Sequence, residues 1–91
     1  VADQEAEAAA EWYAARAPNL GIEFARQYAL TVGWIADSPT RYPVADDGPE
    51  GVECRNVTQL GRFPYRVVYA VFGEDIFIVA VAHHHQRPGY W

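Results

Sequence analysis

Apolar positions recur at helical spacing through the first part of the chain and alternate through the last part. From ADQEAEAAAEWYAAR, residues 2–16, into the next residue, Ala6, Ala9, Ala10, Tyr13 and Ala17 continue one stripe at i, i+3, i+4 intervals. Ala and Glu are strong helix formers and the opening turn is acidic, which suits the positive end of the helix dipole, so a helix is predicted over residues 2–16. The small residues of the stripe let a neighbouring element approach closely. APNLG, residues 17–21, interrupts it: Pro18 disfavours helical geometry at Ala17, and Asn19 can cap the next helix. That second helix is predicted from about Leu20 to Asp37, with Leu20, Phe24, Tyr28, Thr31 and Ile35 facing inward and DSPT, residues 37–40, as its stop. Two helices joined by so short a loop form an antiparallel hairpin.

Residues 39–51, PTRYPVADDGPEG, hold three of the six prolines and two of the seven glycines and are predicted to have no regular structure. Beyond them the period changes from 3.6 to 2. Strands are predicted at about 52–59, 65–72 and 76–83, the last two joined by a short turn as a hairpin. The last of them, IFIVAVAH, is apolar at almost every position and is expected to lie centrally in the sheet. The fold class is therefore α+β: a helical hairpin packed on a twisted antiparallel sheet of three or more strands.

Length and composition narrow this further. A chain of 91 residues, 51% apolar, supports one domain spanning 1–91 and no second core. No apolar run approaches the roughly 20 residues of a membrane span, no charged-then-apolar leader is visible, and the single Cys54 forms no intramolecular disulfide. These features set the expectation of a cytoplasmic protein with no membrane partner. Twelve acidic residues oppose seven basic ones for a net charge of −5, and every basic residue is arginine. General attraction to nucleic acid should be weak, and no direct sequence-specific nucleic-acid binding is expected. Arg55, Arg62, Arg66 and Arg87 nevertheless concentrate in the second half, where arginine could make bidentate contacts or simply pair with Glu53, Glu74 and Asp75.

The chemistry-bearing stretch is VAHHHQRPGYW, residues 81–91. His83 and His85 project to one face of an extended strand, but a structural metal site wants four ligands at defined spacing, so neither a metal nor another cofactor is expected. Phosphodiester cleavage needs a cation for the phosphorane, a base and an acid; Arg66, His84 and Tyr90 could meet across the hairpin to supply them. The same residues could form an ordinary polar sheet end. In LGRFPYRVVY, residues 60–69, Pro64 suits a strand start, while Phe63 beside arginines reads either as a core edge or as part of an interface.

Taken together, EWYAARAPNLGIEFARQY, SPTRYP, RNVTQLGRFPYRVVYAV and VAVAHHHQRPGYW resemble, in order and spacing, the RelE/ParE superfamily of type II toxin–antitoxin toxins, and its ParE-like branch most. The resemblance covers nearly the whole chain. It implies a helical hairpin against an antiparallel sheet, with a further strand ahead of the first helix. It also implies a toxin that stops growth and is neutralised by a cognate antitoxin wrapped over its helices and sheet edge. ParE-like members are associated with inhibition of DNA gyrase, RelE-like members with ribosome-dependent mRNA cleavage. On the nuclease branch, Arg66 falls where a phosphate-stabilising arginine stands, Tyr90 where a C-terminal catalytic tyrosine stands, and His84 where a basic residue or histidine is common. RelE-like nucleases usually carry lysines on the strand matching residues 52–59, where this chain has Glu53 and Arg55, and this departure, with the acidic net charge, favours binding over cutting, with a ribosome-dependent mRNA interferase or an inactive toxin-fold binding module as the alternatives. The expected target-binding face is Arg62, Phe63, Arg66, Arg87, Tyr90 and Trp91. The expected antitoxin contacts are Trp12, Tyr13, Phe24 and Tyr28.

Overall fold

A computed structural model describes residues 2–86 and Tyr90. Two helices, α1 (Ala2–Arg16) and α2 (Pro18–Asp37), precede three strands, β1 (Glu53–Val57), β2 (Tyr65–Phe72) and β3 (Asp75–His83). The helices pack on an antiparallel sheet of order β1-β2-β3, an α+β arrangement.

The helical link is tighter than the sequence predicts. Ala17 is the only residue between the helices, and α2 begins at Pro18 rather than Leu20. Proline is well placed at the first helical position, where its missing N–H leaves nothing unpaired. It also drives Ala17 into the extended conformation (φ −156°, ψ 120°) that turns the chain. Asn19 therefore lies inside the helix and does not cap it, and no side chain caps this end. The two helices run antiparallel at close range: a Cβ added to Gly21 would stand 2.6 Å from the Ala14 Cβ and 2.8 Å from the Ala10 carbonyl oxygen.

The sheet has a core on each face. On the helix side, Ala2, Ala6 and Ala9 of α1 and Phe24 and Ile35 of α2 cover Val67, Tyr69 and Val81. Tyr13, Phe24, Phe63 and Tyr65 meet there as an aromatic cluster, with ring centroids 4.8–6.4 Å apart. On the other side, Cys54, Val68, Ala70 and Ala80 form a smaller cluster with Ala45, Val52, Val79 and Tyr90.

This second core corrects the expected position of the last strand. Strand β2 is central and β3 lies at the edge. Its apolar run has two causes: both faces are covered from Ile78 to Ala82, while Phe77 stays exposed, and a bulge where Val68 pairs with Ala80 but Tyr69 with Ile78 shifts its phase at Val79. The 39–51 segment is not wholly irregular either. Val44 bridges to Arg55, the Ala45 N–H donates to the Cys54 carbonyl, and the Asn56 N–H donates to the Pro43 carbonyl, so it runs along the outer edge of β1. Gly73 takes φ 61° in the two-residue turn that closes the β2–β3 hairpin.

Candidate functional site

The edge of β3 organises the candidate site. In the register with β2, Val81 and His83 direct their N–H groups away from the sheet, where an unpaired edge would invite another strand. Both are covered by side chains. The Val81 N–H donates to Glu5 Oε1 of α1 at 3.0 Å, and the His83 N–H donates to Gln86 Oε1 at 2.8 Å. The second Glu5 oxygen accepts from the Tyr90 hydroxyl, so one carboxylate ties α1, the sheet edge and the C-terminal segment together. Burial, followed by this hydrogen bond to Glu5, pushes the Tyr90 phenol well above its ordinary pKa, although the nearby Arg66 charge offsets part of the rise.

Two depressions meet at this point. One is a polar cleft of about 430 Å³, lined by Asp46, Asp47, Asn56, Arg66, His83, His84 and Gln86. Two of the three residues of the nuclease reading, Arg66 and His84, line it, and Tyr90 lies within electrostatic reach of Arg66. The Arg66 guanidinium is already held by Asp47 through an ion pair with two hydrogen bonds. A phosphate would have to compete with that carboxylate beside a second one, Asp46. The His84 ring bonds through Nε2 to the Thr58 carbonyl at 3.0 Å, which fixes its orientation. His83 sits edge-on to Tyr65, and its Nδ1 accepts from the His85 N–H. Among the described residues, no group of three or more His, Cys, Asp or Glu side chains could hold a metal ion.

The other depression is an apolar groove of about 420 Å³ between α1 and the β3 edge, lined by Ala8, Ala9, Trp12, Tyr13, Tyr65 and Val81, with Glu5, His83 and Gln86 at its polar end. Trp12 is 52% exposed, with the Arg16 guanidinium 3.3 Å from its ring centroid. Tyr13 is half-buried and forms the floor.

The remaining expected residues scatter. Phe24 is fully buried and Phe63 is 3% exposed, both in the aromatic cluster, so neither offers a surface to an antitoxin or a target in this fold. The aromatic-rich pattern around them comes from core packing. Arg62 is on the surface, paired with Glu23 of α2 at 2.7 Å, away from the cleft. The Tyr28 hydroxyl donates to Asp3; burial and the Asp3 charge push its pKa up to about 12, which marks it as a helix-to-helix tie. Arg87 and Trp91 lie outside the described residues. Asp47 and Glu5, which no sequence motif singles out, are the carboxylates that engage Arg66 and Tyr90. Asp47 lies in a Pro/Gly-rich segment, and Glu5 fits the acidic opening turn of a helix without needing any other role. The one sequence signal pointing to Glu5 is that it directly adjoins the apolar stripe at Ala6 and Ala9.

No family model, no curated protein and no solved structure matches the chain. No helix among the described residues is long and apolar enough to cross a membrane.

Proposed function

We propose that this chain is a ParE-like toxin of a type II toxin–antitoxin pair, one that stops growth by binding a cellular protein, DNA gyrase, and is neutralised by a cognate antitoxin. Support for the family comes from the order and spacing of RFPYRVVY and AHHHQRPGYW behind a helical hairpin, on an α+β fold of the kind the resemblance implies. The observation that carries the choice of binding over cutting is the pairing of Arg66 with Asp47 and of Tyr90 with Glu5. A nuclease needs that arginine free to balance a phosphorane and that tyrosine free to move a proton. With both engaged by carboxylates, on a chain of net charge −5, anionic substrate is disfavoured at the cleft itself. The neighbouring groove, with Trp12 and Tyr13 set among alanines, has the apolar lining and aromatic anchor that a protein segment uses. We assign the antitoxin to this groove.

An RNA-cleaving reading keeps one specific support: Arg66 and His84 share the cleft, with Tyr90 close to Arg66. The two readings separate in paired assays on the purified chain, one of DNA supercoiling by purified gyrase and one of mRNA integrity on translating ribosomes. Supercoiling blocked with messages intact is the expected outcome. Codon-positioned cuts that disappear in Arg66→Ala or Tyr90→Phe would replace gyrase binding with ribosome-dependent cleavage.

A further inference from the structure

A helix packed on a sheet ordinarily turns a polar face to water. The outer face of α2 does not. Ile22 is 68% exposed, Leu30 45% and Trp34 46%, and Ala29 and Gly33 lie exposed among them. A Cβ built on Gly33 meets nothing within 4 Å, so the helix surface is bare and open at the middle of this face, a notch only in lacking a side chain there. Arg26 and Asp37 stand on this face, both exposed and neither in an ion pair among the described residues, whereas Glu23 near its start is paired with Arg62. Arg26 and Asp37 are separated by about three helical turns and so lie on the same side of the helix.

We propose that this face binds a second copy of the chain, α2 against α2, antiparallel about a two-fold axis. The sequence is self-complementary in that one register. Placing Arg26 of one copy opposite Asp37 of the other sets Leu30 over the Gly33 notch and Trp34 over Ala29 of the second copy. The two-fold repeats each contact, so two ion pairs flank a centre of two leucines seated in two notches. The row Arg26, Leu30, Trp34 then runs along the row Ala29, Gly33, Asp37, which is the interdigitation of i±4 ridges favoured by packed helices. A parallel arrangement would bring like charges together, so charge selects the antiparallel pair. The buried polar contacts of the β3 edge and the Trp12 groove take no part, and the dimer is independent of what occupies them.

Sedimentation equilibrium of the purified chain tests this. A monomer–dimer equilibrium is expected, with a dissociation constant on the order of micromolar for so small a patch. Arg26→Asp and Asp37→Arg should each weaken association by at least about tenfold, and the double variant Arg26→Asp/Asp37→Arg should recover it, because the swapped charges meet again across the axis. Gly33→Leu should weaken association while leaving the helical circular dichroism intact, since the added side chain is unopposed within the monomer and fills the notch. A chain that stays monomeric at the highest concentrations would overturn the proposal, as would a double variant no better than either single one. A monomeric chain whose Trp34→Ala variant loses a co-expressed neighbouring gene product would instead give the face to that partner.

Discussion

Glu5 is an exposed-looking acid in an alanine-rich helix, yet its two oxygens accept from the Val81 N–H and the Tyr90 hydroxyl. Removing it leaves a half-buried phenol and a strand N–H without these acceptors, so Glu5→Ala should destabilise the fold by about 1–2 kcal/mol. The same substitution should accelerate amide exchange at Val81 selectively, which distinguishes loss of the edge contact from a general loss of helix stability. The tyrosines make a second prediction. Tyr28 is pushed up to about 12, and Tyr65, Tyr69 and Tyr90 are also raised, in each case first by burial. A phenol whose folded pKa exceeds its unfolded value near 10 contributes stability that is full below pH 10 and lost as pH rises through the folded value. Thermal stability should therefore hold up to about pH 10 and fall from there toward about pH 12, and Tyr28→Phe should remove part of that dependence. Melting temperatures across this range check it, and a wild-type curve indifferent to pH above 10 would contradict the burial of these phenols.

Among the elements, the closest approach is between α1 and α2, where Gly21 lies against Ala14 and the Ala10 carbonyl. In an isolated helix Gly→Ala stabilises by up to about 1 kcal/mol. Here the added methyl meets another Cβ and a backbone oxygen that cannot swing away, so Gly21→Ala should instead lower stability by about 1–2 kcal/mol and shift the urea midpoint down without changing the slope. The helices are legible in the sequence because Ala, Tyr and Phe keep the 3.6 period. Strand β2 is legible because Val and Tyr keep a strand pattern that Pro64 opens and Gly73 closes. The place of β3 is not. Its apolar run has the mark of a central strand, but a bulge at Val79 and a second small core around Cys54 and Ala80 give an edge strand the same pattern. That core draws on Ala45 of the 39–51 segment and on Tyr90, which no local pattern encodes. Phe24 and Phe63 fail as contact residues for a related reason: a sequence shows that aromatics are near arginines but not that four of them close on one another. Arg66 and His84 line one cleft, while Asp47, which decides the electrostatics of that cleft, comes from the loop and has no pattern to reveal it.

At the scale of the whole molecule, two helices and three strands bring an apolar groove and a carboxylate-balanced cleft to the same end of an edge strand. The charge balance there distinguishes the proposed binding role from catalysis on RNA. Net charge −5 and the Asp47 partner of Arg66 oppose a polyanion, whereas the groove beside Trp12 and Tyr13 accepts apolar side chains. The most direct measurement of that role is the topoisomer distribution of a plasmid recovered from bacterial cells after the chain is induced without a neighbouring antitoxin. A protein that arrests growth by engaging gyrase predicts a shift toward relaxed plasmid that accompanies the arrest; arrested growth with unchanged supercoiling would contradict it.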